Sequence, residues 1–154
     1  MDFELTDEQR LLAESVNRFV ADRYDFETRL HALRQEGGWS REAWQGLAEL
    51  GVCAMPFAEE DGGFGGSGVE TMLVMEALGK GLLVEPYLAT VILAGGALRR
   101  AGSVSQKAAR VAAIAGGERL MALAHSEAGM PRHSLDVKAT QAWRDGAGWM
   151  LNGS

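Results

Sequence analysis

A single cysteine, Cys53, stands among 154 residues, so the chain can form no internal disulfide. It lies in GVCAMPF among apolar neighbours, where a thiol is a packing residue, because a reactive one needs an electropositive setting. Histidine is almost as scarce: His31, His125 and His133 are scattered, with no cysteine or carboxylate cluster at metal spacing and no serine in a nucleophile-elbow context. Basic residues are outnumbered, 15 Lys and Arg against 21 Asp and Glu, for a net charge of −6. The only adjacent basic pair is Arg99-Arg100, so no stripe suited to nucleic acid exists. No apolar run reaches the length of a membrane span, and the opening MDFELTDEQR is too acidic for a secretory signal. A cytoplasmic location is the default expectation. Against these absences, a hydrophobic share of 47% with 23% charged residues is that of a folded domain with a core.

Helical signals fill the first three quarters. Thr6-Asp7-Glu8-Gln9 has the form of a capping box, and Leu12, Val16 and Phe19 follow at helical spacing, predicting a helix over 7–23. Ser40 opens a second, with Trp44, Leu47 and Ala48 on one face and Gly51 as the stop; 34–39 (RQEGGW) is a loop. Residues 69–83, VETMLVMEALGKGLL, are apolar nearly all round and read as the buried centre of a helical bundle, ended by Glu85-Pro86. Two further helices are predicted over 87–100 and, capped by Ser105 and stopped by Gly116-Gly117, over 105–115.

Beyond Gly117 the pattern changes. Leu120 to Ala124 form a short apolar run without helical period. Val137, Ala139 and Trp143 then recur at even spacing, Asp145-Gly146-Ala147-Gly148 signals a turn, and Trp149-Met150-Leu151 starts a returning strand. The fold class expected is mainly α: a helical bundle domain at 1–117, then the first strands of a sheet at 118–154. Two strands cannot cover a sheet face, so the sheet is only begun.

The stretch Gly63-Phe64-Gly65-Gly66-Ser67-Gly68 matches G-x-G-x-x-G before a helix. The dinucleotide fingerprint needs a strand running straight into the turn, whereas here Pro56 and the carboxylates of Glu59-Glu60-Asp61 precede it, so a tight loop between helices is the expectation. Glu70 and Glu76, six apart, fall on different helix faces and form no carboxylate pair.

Four stretches together resemble the acyl-CoA dehydrogenases: MDFELTDEQRLLAESVNRFVADRY, LAELGVCAMPFAEEDGGFGGSGVETMLVMEALGKGLLVEP, MALAHSE and DGAGWMLNGS. RYDFETR, GGWS and VEPYLATV are similar to the small-subunit type found in pimeloyl-CoA dehydrogenase. The resemblance implies an amino-terminal helical domain and the start of an incomplete middle β-barrel. It also implies FAD, an acyl-CoA substrate dehydrogenated between its α and β carbons, an electron-carrier flavoprotein, and a homo- or hetero-oligomer. Nucleic acid and a membrane span are not expected. The family's flavin-contacting segment, T-E-P-x-A-G-S-D, falls on the stretch holding Ala124, Ser126, Glu127 and Arg132: without gaps Ser126-Glu127 matches T-E and G-S-D falls on Pro131-Arg132-His133, while a shifted register sets Ala128-Gly129 on A-G and leaves Met130 where serine is expected. By position, Thr71, Val74 and Leu78 fall near the acyl chain, with core packing as the alternative. The family's catalytic glutamate lies in its carboxy-terminal part, so no residue here takes that role. Two rival readings are a non-catalytic subunit paired with a catalytic homologue and a free-standing helical binding module.

Overall fold

The Thr6 hydroxyl accepts from the Gln9 amide at 3.2 Å while Gln9 Oε1 accepts from the Thr6 amide at 3.0 Å, and α1 (Asp7–Arg23) starts where that box places it. The structure, a computed structural model, describes residues 4–131, 134 and 136–153. Chain contacts divide it into two compact units, the first ending at Ala122 and the second beginning at Leu123.

In the first unit, α1 buries Val16, Phe19 and Val20 and packs on α4 (Gly68–Lys80). Their amino-terminal turns are joined: the Glu70 carboxylate closes a second capping box on Ser67, and Gln9 Nε2 donates to Glu70 Oε1 at 2.8 Å. α4 departs from the sequence reading in two ways. Only the face holding Leu73, Val74, Ala77 and Leu78 is buried, while Met72 is 53% exposed, because Glu76 and Lys80 share the other side and pair there at 2.7 Å. It also ends at Lys80, earlier than Glu85-Pro86, since Leu82 takes a left-handed backbone with φ of 54° that no helix continues through.

A helix not foreseen, α2 (Phe26–Arg34), is capped by Asp25, whose carboxylate accepts from the Thr28 amide at 2.7 Å. α3 (Arg41–Glu49) is capped by Ser40 and followed by Gly51 at φ 79°, as expected. The predicted 87–100 helix contains a wide π-helical turn, Leu88–Ala94, running into α5 (Gly95–Ala101). α6 (Val104–Ala115) is capped by Ser103, not Ser105, because Gln106 stands three positions beyond Ser103 and completes the box.

These helices enclose one core, with Trp44, Tyr87, Phe57, Leu47, Val16, Val74 and Ile114 fully buried and Cys53 among them. Each such aliphatic or phenyl side chain contributes roughly 1.5–3 kcal/mol by leaving water. The polar atoms they carry inward are satisfied: Trp44 Nε1 donates to the Gly117 carbonyl at 2.9 Å and the Tyr87 hydroxyl to the Val52 carbonyl at 3.2 Å. Buried Glu85 gathers three chain segments, accepting from the Tyr24 hydroxyl (3.3 Å) and the Ser40 amide (3.2 Å), while the Tyr24 oxygen accepts from the Val84 amide. Burial pushes the Tyr24 phenol up to about 12.

In the second unit, β1 (Gln141–Asp145) pairs antiparallel with β2 (Gly148–Asn152), Trp143 opposite Met150 and Ala142 opposite Leu151. Gly146 supplies the φ of 59° that the two-residue connection needs. All ten strand residues are exposed, and by their alternation one face carries Trp143 and Met150, the other Trp149 and Leu151. The Arg144 guanidinium lies 5.3 Å from the Trp149 ring centre. The strand starts at Gln141, later than the alternation from Val137 suggests, because the amides of Lys138, Ala139 and Thr140 have another acceptor.

Candidate functional site

That acceptor is Glu127. One of its oxygens takes the amides of Lys138 and Ala139, both at 2.9 Å, and the other takes the amide of Thr140 at 2.6 Å. Three successive N–H groups on one carboxylate form a closed anion nest, occupied by the chain's own side chain. The Thr140 side chain, followed by the Ala139 and Lys138 amides, holds the Glu127 carboxyl down at about 2. Glu127 is therefore bonded to its own loop, and its carboxylate shapes the stretch before it.

That stretch, Ala124, His125 and Ser126, lines a cavity of about 420 Å³ together with Glu127, Val137, Thr140 and Leu151. Ser126 Oγ lies 3.4 Å from His125 Nε2, a long contact that leaves the hydroxyl free to turn. Among the described residues the amides of Ala124, His125, Ser126 and Glu127 have no partner. Arg132 and His133 lie outside the described residues.

A second cavity, about 310 Å³, opens in the helical unit. Thr71, Phe57, Val91 and Ile92 line it beside Gly95 and Gly96, with Arg99 and Arg100 at its edge, and the Arg99 guanidinium donates to the Pro56 carbonyl. Of the three residues that sequence position sets near an acyl chain, only Thr71 reaches this space. Val74 is fully buried in the core and Leu78 is 6% exposed. Gly95-Gly96 was a readable signal passed over: two glycines inside a helix mark a wall where other groups approach closely. A Cβ on Gly95 would stand 2.8 Å from Cζ of Phe57.

The glycine loop before α4 borders the same cavity through Gly66, Ser67 and Gly68, but three of its amides are already spent. Gly63, Gly65 and Gly66 donate their amides to the carbonyls of Ala58, Phe57 and Met55, at 2.9, 2.7 and 2.8 Å. The α4 amino terminus beyond is already faced by the Glu70 carboxylate, which the Ser67 hydroxyl and then the Gln9 amide hold down at about 2. No described helix is long and apolar enough to cross a membrane.

Residues 6–118 match the sequence profile of the acyl-CoA dehydrogenase N-terminal domain. A probable acyl-CoA dehydrogenase of Bacillus subtilis, YngJ, is 31% identical over 157 residues, covering 99% of this chain and 40% of that protein. The crystal structure of the ChsE4-ChsE5 complex from Mycobacterium tuberculosis superposes with a TM-score of 0.84 at 29% identity, over 99% of this chain and 40% of that one. An acyl-CoA dehydrogenase from Bacillus anthracis solved with FAD has the same fold, with a TM-score of 0.84 at 24% identity, over 97% of this chain and 26% of that one. The chain thus spans about 40% of the length of YngJ and of the ChsE4-ChsE5 chain. With matched profile, relatives and fold in agreement, the chain belongs to the acyl-CoA dehydrogenase family and carries its amino-terminal domain.

Proposed function

We propose that this chain is the amino-terminal part of an FAD-dependent acyl-CoA dehydrogenase, with Ala124–Glu127 as its share of the flavin site. The carrying observation is the cavity lined by Ala124, His125 and Ser126, a stretch whose amides have no partner among the described residues and whose Ser126 hydroxyl makes only a long contact to His125. Such a row of donors suits the carbonyl and nitrogen edge of a flavin ring. FAD, once bound, supplies the acceptor for the hydride leaving the β carbon of the thioester. The chain's own residues do the rest of what falls to this part: Ser126 and the amides of 124–127 orient the ring, and Glu127 holds their loop in shape. Arg132 would offer a phosphate of the same cofactor a cation. In the helical unit, Thr71 with Val91 and Ile92 would receive part of the acyl chain, while Val74 and Leu78 support that wall from within the core. Electrons would pass on to a carrier flavoprotein.

The second reading, a silent subunit beside a catalytic homologue, is favoured by the degraded flavin segment and by likeness to one chain of a two-protein complex. Flavin content separates the two. In the intact polypeptide that carries this sequence, Ser126→Ala is expected to weaken FAD by about 0.5–1.5 kcal/mol, the worth of a neutral hydrogen bond. Acyl-CoA added without oxygen should bleach the bound flavin, whereas the 154-residue chain alone should show no reduction. Unchanged FAD affinity in Ser126→Ala, with flavin held only through a co-expressed homologue, would establish the silent subunit instead.

A further inference from the structure

Thr90 is fully buried in the π-helical turn Leu88–Ala94. A helical threonine commonly turns its hydroxyl back to the carbonyl of the preceding turn. Here the Thr90 hydroxyl reaches out to a different segment, donating to the Met121 carbonyl at 3.0 Å and accepting from the Met121 amide at 3.2 Å. One side chain thereby satisfies both backbone groups of one residue, as a neighbouring strand would. Met121 needs this, because 120–124 lies in no helix or strand and pairs with no strand among the described residues. Only Ala122 and Leu123 separate it from Ala124. On the other side, the residues just after Thr90, Val91 and Ile92, line the Thr71 cavity. Wide π turns recur at functional sites because they re-aim side chains that a regular helix would send elsewhere.

We propose that Thr90 is a positioning residue: its hydroxyl fixes Met121, and with it the point from which the Ala124–Glu127 stretch departs, to the helix that walls the Thr71 cavity. This rests on the flavin reading of Ala124–Glu127. Because one hydroxyl ties this helix to Met121, a ligand pressing on Val91 or Ile92 has a direct mechanical path to Met121. It also explains why a buried threonine stands where valine would pack equally well.

The test compares Thr90→Val, which keeps the shape and removes both bonds, with Thr90→Ser, which keeps the hydroxyl, in the intact polypeptide. Amide hydrogen exchange and FAD affinity are read for each. The valine variant should lose protection at Met121 while Leu73 to Leu78 keep theirs, and its Kd for FAD should rise about fivefold, the worth of about one hydrogen bond. The serine variant should restore both. Unaltered FAD affinity in a folded valine variant would overturn the proposal. So would protection lost evenly through α1 and α4, which would make Thr90 a core residue only. If the unaltered polypeptide binds no FAD, the flavin reading itself fails. Exchange then judges the anchor alone: selective loss at Met121 sustains it, and no loss there overturns it.

Discussion

A carboxylate that could have been a ligand is, in this chain, a clamp. Glu127 accepts three successive amides from residues eleven to thirteen positions later, so its charge is used to close a loop. Its carboxyl is depressed from 4.5 to about 2, so the clamp stabilises the loop fully above the ordinary carboxylate range and is lost as pH falls from there through about 2. Protection of the Lys138, Ala139 and Thr140 amides, relative to their intrinsic exchange rates at each pH, should therefore hold from neutral pH down to mild acid and fall only in strong acid. Glu127→Gln replaces one acceptor oxygen with a donor group facing donors, and should expose at least the Thr140 amide at neutral pH. Equal exchange in the variant and the parent chain would show that the nest does not hold the loop. This role was out of reach of the sequence, since nothing in SEAGMPRHSLDVKAT indicates that the chain doubles back there. The resemblance could mark Ser126-Glu127 as a site, but not which of the two faces outward.

At the scale of elements, what could be read was what is local. The Thr6 and Ser40 caps were legible because both partners lie within one helical turn. Ser103 was equally legible, as S-x-x-Q, and was obscured by Ser105 beside it. α2 escaped because it is short and buries only Ala32, which leaves no apolar stripe to detect. The face of α4 was the harder matter: Val69, Met72 and Leu73 are alike in polarity, and only long-range packing decides which of them points inward. The glycine loop shows the same limit in reverse, since its motif spacing suggests a ligand while its glycines serve the approach of one backbone to another. A Cβ on Gly63 would stand 2.2 Å from the Phe57 carbonyl oxygen, with no flexible side chain able to yield. Gly63→Ala should accordingly destabilise the helical unit by about 3 kcal/mol, at the upper end for overpacking. Gly68→Ala, where a Cβ meets nothing within 4 Å, should be near neutral. Urea unfolding of the two variants checks this, and equal stability would mean that the loop shifts freely.

At the scale of the molecule, the two units are held by different means. The core closes within the helical unit, from Val16 to Ile114 with Met121 packed against it, so its stability does not draw on the strands. The hairpin buries nothing: all ten of its residues are exposed, and an isolated pair of strands is marginal in water. The boundary between them follows from particular bonds. Residues 118–122 belong with the helices because the amides of Glu118 and Arg119 donate to the Ala113 carbonyl and Met121 is tied to Thr90. A chain ending at Ala122 should therefore unfold in one cooperative step with a free energy close to that of the 154-residue chain. A chain ending at Gly117 keeps Trp44 on the Gly117 carbonyl but leaves the Thr90 hydroxyl buried without a partner. An unsatisfied buried hydroxyl costs about 1–3 kcal/mol, and the shorter chain should be weaker by at least that much. Chemical denaturation of the three chains decides the point: if the chain ending at Gly117 matches the one ending at Ala122, the segment through Met121 adds nothing to the helical unit and the boundary lies earlier.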